Sequence, residues 1–147
     1  MDLDWIAAGS SVFTALGVGF AGIQLMAAQT QARTDFEDAL SRDYRDTIRS
    51  LPIEALLGET LTEELMDRHL ADFYRYIDLS NEQVFLRKEG RIRTKTWKNW
   101  SDGIKDNLKK PAFAHAWRSI KLRAKDSFEE LRRLERSEYR ADPKEWD

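Results

Sequence analysis

The sequence predicts an all-α protein: a single N-terminal transmembrane helix that continues into a small cytosolic helical bundle. Three observations predict it. Residues 5–31 contain no charged side chain, and Arg33 is the first cation. After that run, apolar residues recur at helical spacing almost throughout. The chain has only 3 prolines and 7 glycines, and the glycines beyond the anchor stand singly at positions 58, 90 and 103, too few turn formers for an all-β fold.

The uncharged run comes first. A membrane helix needs ~20 mostly apolar residues, and residues 6–28 supply them with Val12, Phe13, Leu16, Val18, Phe20, Ile23, Leu25 and Met26. Their polar members, Ser10, Ser11, Thr14 and Gln24, are uncharged. Trp5 sits where an indole suits the headgroup layer. Asp2 and Asp4 precede the run, whereas Arg33, Arg42, Arg45 and Arg49 follow it. The positive-inside rule then places the N-terminus outside and the following domain in the cytoplasm. The absence of cysteine is compatible with a reducing compartment. A cleaved secretory signal is the rival reading, but it wants a basic start and a shorter apolar stretch. Residues 1–32 therefore form the expected anchor.

Small residues at Ala8, Ser11, Ala15, Gly19 and Gly22 share one helical stripe. Such stripes let membrane helices approach closely. Ser11, Ala15, Gly19 and Gly22 are thus the expected surface for self-association or for docking a partner membrane helix. The competing account is that Gly and Ala are common in membrane helices anyway.

Residues 33–135 make one expected helical domain, and residues 136–147 a flexible tail, because the apolar pattern fades after Arg136. Phe36, Leu40, Tyr44, Ile48 and Leu51 extend the anchor helix until Pro52 stops it. Pro52 opens a short helix ending at Gly58. Thr60 to Glu63 reads as a capping box, starting the longest soluble helix, which runs to Gly90. Its inward seam is Met66, Leu70, Phe73, Ile77, Ser80 and Val84. Residues 91–94 form a basic, exposed connector, and Thr94 or Thr96 caps the next helix. That helix buries Trp97, Trp100, Ile104 and Leu108, and Gly103 permits close packing. Pro111 starts another, with Phe113, Trp117 and Ile120 inward. Overlapping capping boxes in residues 126–130 start the last.

Ser80 interrupts the long seam, and Asn81, Glu82 and Gln83 follow it. These four are a candidate polar network or ligand contact, against the reading of a solvated face.

The segments around Tyr76 to Gln83, Gly90-Arg91-Ile92, Thr96-Trp97, Trp100, Gly103-Ile104 and Pro111-Ala112-Phe113, preceded by Tyr44-Arg45 and Leu51-Pro52, resemble a block in small bacterial single-pass membrane proteins with an N-terminal membrane helix. The resemblance covers most of residues 36–120. It implies a bacterial inner-membrane origin and carries no activity or functional residue with it.

Charge is segregated. Residues 87–125 hold 13 basic and 3 acidic side chains; residues 35–82 hold 5 basic and 13 acidic. Arg87, Lys88, Arg91, Arg93, Lys95 and Lys98 are candidate contacts for a nucleotide, another phosphate ligand or anionic lipid. The alternative is that the two blocks neutralise each other inside the fold or across an oligomer. His69 and His115 lack the spacing and cysteines of a zinc site. Asp78 and Glu82 stand one turn apart, which alone is weak support for acid–base chemistry. No phosphate-binding glycine loop exists. The residues thus suggest no catalytic, cofactor or metal site. They point to a membrane-tethered, non-enzymatic interaction module, self-associating or binding a protein partner. The alternative is a membrane-associated sensor that binds a phosphate ligand.

Overall fold

The computed structural model describes the backbone of residues 4–146 and the side chains of residues 22–146. Among the described residues the protein is helical, without strands. Its elements are α1 Asp4–Arg49, α2 Ile53–Leu57, α3 Glu63–Lys88, α4 Thr94–Lys109, α5 Pro111–Arg123, α6 Glu129–Arg136 and a 3-10 turn, Pro143–Glu145. The chain divides into two compact units, Met1–Phe36 and Glu37–Asp147.

In the first unit, the described side chains make local helix contacts. Thr30 donates to the Met26 carbonyl (2.9 Å), and Gln31 Nε2 donates to Asp35 Oδ1 (2.8 Å). Ile23, Leu25 and Met26 are exposed. Among the described residues no helix is long and apolar enough to cross a membrane. Ser11, Ala15, Gly19 and most of the span expected over 6–28 lie outside the described side chains. Gly22 is described, and a Cβ there would meet nothing within 4 Å.

The second unit packs around α3, which touches α4, α5, α6 and the 3-10 turn. Its amphipathic pattern explains this central place: Met66, Phe73, Tyr76, Ile77, Leu79, Val84 and Leu86 are all buried. Phe73 and Tyr76 each meet Phe113 of α5 edge-on, with centroids 5.1 and 5.0 Å apart, a favoured aromatic geometry. Trp117 meets Phe128 similarly at 6.0 Å. Pro52 ends α1 as expected, and α2 stops at Gly58, whose φ of 87° suits glycine. Gly90, with φ 69°, turns the chain after α3.

Helix starts differ from the sequence expectation in three places. Thr62, not Thr60, caps α3, accepting from Leu65 N–H. That frame has no Glu three residues on, so only half of a capping box forms. At α4, Thr94 and Thr96 serve other partners: Thr94 accepts from Arg87, and Thr96 donates to Glu37. Glu37 instead accepts the Arg93 N–H at the helix entry. At α6, the cap position is Phe128 in a left-handed conformation without a side-chain cap. Asn81, projecting from α3, accepts the Leu131 N–H at 3.0 Å and takes over that role.

The flexible tail expected over 136–147 is corrected for residues 137–146. Glu138 and Tyr139 turn the chain with φ of 56° and 59°. Pro143 is fully buried, Asp142 pairs with Arg87, and Arg133 lies 4.6 Å from the Trp146 ring centroid. A segment without a helical pattern can still dock when its carboxylate finds a buried arginine and its proline a buried site. Gly103 is also corrected. A Cβ added there would meet nothing within 4 Å, so it serves no close helix approach.

Candidate functional site

The six candidate cations fall into two groups. Arg87 is only 3% exposed, so it cannot serve an external anion. Its Nε donates to Asp142 Oδ1 (2.7 Å), Nη1 to the Ile92 carbonyl (2.7 Å), and Nη2 to Asp142 Oδ2 and Thr94 Oγ1. Lys88 donates to Glu130 at 2.8 Å. Arg93 grips Glu37 through Nε (2.9 Å) and Nη2 (2.6 Å). The expectation of a ligand contact is thus corrected for Arg87; Lys88 and Arg93 each hold a carboxylate of the fold, and Arg93, 44% exposed, also lines the groove described below. Arg91, Lys95 and Lys98 are exposed. Neutralisation within the fold does occur, and Arg93–Glu37 joins the acidic and basic blocks. Lys88, Arg87 and Lys121 find Glu130, Asp142 and Glu135 in the last segment.

Glu37 is the best-held carboxylate. It is 3% exposed and accepts four hydrogen bonds, from Arg93 N–H, Nε and Nη2 and from Thr96 Oγ1. Burial pushes its pKa up, but these donors and the Arg93 charge outweigh it and hold the carboxyl below its ordinary value. The Asp142 carboxyl is also lowered, chiefly by the Arg87 hydrogen bonds and against its partial burial.

The residues 80–83 do not form one network, because successive helical positions face different ways. Ser80 is buried and donates to the Tyr76 carbonyl, 2.8 Å away. Asn81 caps α6, Glu82 is exposed, and Gln83 is buried at 3% exposure. A different polar cluster exists that spacing did not reveal. Asn107 of α4 donates to Tyr76 Oη (3.1 Å) and Tyr44 Oη (3.4 Å), and its carbonyl accepts from Lys110. Burial drives the Tyr76 hydroxyl pKa far up, so that hydroxyl stays protonated. Asn107 sits on the inward α4 face, three residues after Ile104, which was the only available signal.

Beside this cluster, Tyr44, Gln83, Asn99, Trp100, Gly103 and Ile104 line a pocket of about 130 Å³. Asn99 and Trp100 also border a larger groove, about 390 Å³, with Glu37, Asp38, Ser41 and Lys95. Trp97 and Trp117 are buried as expected, but Trp100 is half-buried at this groove. Elsewhere, His69 Nδ1 lies 3.0 Å from Asp72 Oδ2, and His115 is exposed on α5. Asp78 and Glu82 are exposed. Among the described residues no group of acidic or histidine side chains could hold a metal ion. Compared with protein-family models, curated proteins and solved structures, the chain matches none.

Proposed function

We propose that the protein is a non-enzymatic interaction module, tethered at the bacterial inner membrane by its N-terminal segment, with its helical bundle in the cytoplasm. One observation carries the reading. The helix that contains the uncharged run 5–31 also supplies the bundle with Glu37, Leu40 and Tyr44. An uncharged run of that length is suited to lipid. The small-residue stripe supports self-association or docking of a partner membrane helix. Carbonate extraction of membranes tests the tether, and reporter fusions at Asp147 test the topology. Recovery in the soluble fraction, or activity of a periplasmic reporter, refutes it. Gly19→Ile tests the stripe: crosslinked oligomer should fall, by about five- to thirtyfold for a lost contact of ~1–2 kcal/mol. Equal crosslinking yields would reduce the stripe to composition.

A further inference from the structure

Two features of the second unit have no structural use. Gln83 is 3% exposed as a residue, and among the described residues no hydrogen bond reaches its amide, which is not fully buried and lines a pocket. An amide with so little access to water gains from a partner that matches its donor and acceptor. Gly103 lies in the middle of the 16-residue α4, where glycine weakens a helix. No neighbour requires its small size, since a Cβ there would meet open space. Both residues line the same 130 Å³ pocket. The bare glycine keeps that space open, and the unpartnered amide lines it.

The walls define what fits. No charged side chain lines the pocket; Tyr44, Trp100 and Ile104 give it aromatic and apolar surface. Its size is close to the ~150 Å³ cavity that admits a benzene ring. A primary amide presents one donor and one acceptor side by side. Its complement is a ring with an adjacent N–H and C=O. We infer that the Gln83 pocket binds an uncharged six-membered cyclic amide, held edge-on by the Gln83 amide against Tyr44 and Trp100. Substituents on such a ring leave past Asn99 and Trp100 into the larger groove, where Asp38, Ser41 and Lys95 offer polar contacts.

The test uses the full-length chain, labelled for amide and indole NMR signals, with uracil as the probe. Uracil should shift the Gln83 side-chain amide and the Trp100 indole saturably at millimolar concentration. N,N′-dimethyluracil, which lacks both N–H groups, should bind about tenfold or more weakly, as expected when a polar site loses its partner. Gln83→Leu should abolish the preference for uracil over the dimethyl compound. Gly103→Leu fills open space, so it should block the shifts while the thermal melt is retained, and it stands as the test if Gln83→Leu does not fold. The inference is overturned by absence of saturable shifts at Gln83 and Trp100, which would leave the amide to ordered water. It is equally overturned by equal binding of the two compounds, or by uracil binding unchanged in both variants.

Discussion

Asp142→Ala tests whether the C-terminal segment belongs to the fold. The guanidinium of Arg87 is buried, and two of its four bonds go to Asp142. Removing one partner of a buried ion pair costs about 3–5 kcal/mol, since the remaining charge is left uncompensated. Two features reduce this here. Asp142 keeps 28% of its side chain exposed, and Arg87 retains the Ile92 carbonyl and Thr94 hydroxyl. The expected loss is therefore about 2–4 kcal/mol. Small domains have about 5–15 kcal/mol in total, so the effect is large. Urea unfolding followed by tryptophan fluorescence measures it. The pH dependence gives a second signature. The Asp142 carboxyl is lowered in the folded chain, so its contribution is present above its unfolded pKa and is lost as pH falls through the folded value. The gap between wild type and Asp142→Ala should narrow in acid. A variant within about 0.5 kcal/mol of wild type at neutral pH, the range of ordinary surface changes, would refute the argument and return residues 137–146 to a loose tail.

Three further outcomes follow from single contacts. Arg93→Glu should lower the melting temperature clearly more than Lys98→Glu, because it sets a carboxylate against buried Glu37; equal melts would refute the Glu37 clamp. Asn81→Ala should cost about 1 kcal/mol, as for a lost helix cap, with faster amide exchange at Leu131; unchanged exchange there would show that α6 needs no cap from α3. Gly103→Ala should stabilise the chain by about 0.5–1 kcal/mol, because the helix gains propensity and nothing obstructs the methyl group; a lower urea midpoint would show that the site is more crowded than its geometry implies.

What the sequence made legible follows from periodicity. The apolar seam of α3, the stop at Pro52, the turns at Gly58 and Gly90 and the start at Pro111 each depend on neighbours within about one turn. They were predicted and observed. The helix caps were not, although Thr60 and the 126–130 segment carried suitable residues. Asn81 reaches α6 across 50 positions, and Glu37 reaches the entry of α4 across 56. No local pattern encodes a cap supplied by another helix. The Gln83 pocket was hidden for a related reason: Gly103 reads as a packing residue until the space above it is known. Asp142 was missed because a charged, proline-containing end resembles a tail unless its buried arginine is visible.

The charge pattern shows why block totals mislead. Opposite charge in residues 35–82 and 87–125 suggested one broad interface. Yet an ion pair is set over a few ångströms, and solvent screens exposed charges beyond about 10 Å. Glu37 crosses between the blocks because its place on α1 brings it to the entry of α4. The other basic side chains with cross-element partners sit near α6 and the final turn. Those acids belong to a segment with a modest balance of its own, 8 acidic against 5 basic residues over 126–147. Residues 126–147 therefore act as the counter-charge for α3 and α5, which helps explain why residues 137–146, without apolar periodicity, are nonetheless docked. The same accounting leaves Lys95 on the groove wall and Lys98 exposed outside its lining. A contact with an anion there would be solvent-exposed and salt-sensitive, a weaker basis for recognition than the smaller pocket next to it, whose lining carries no charge.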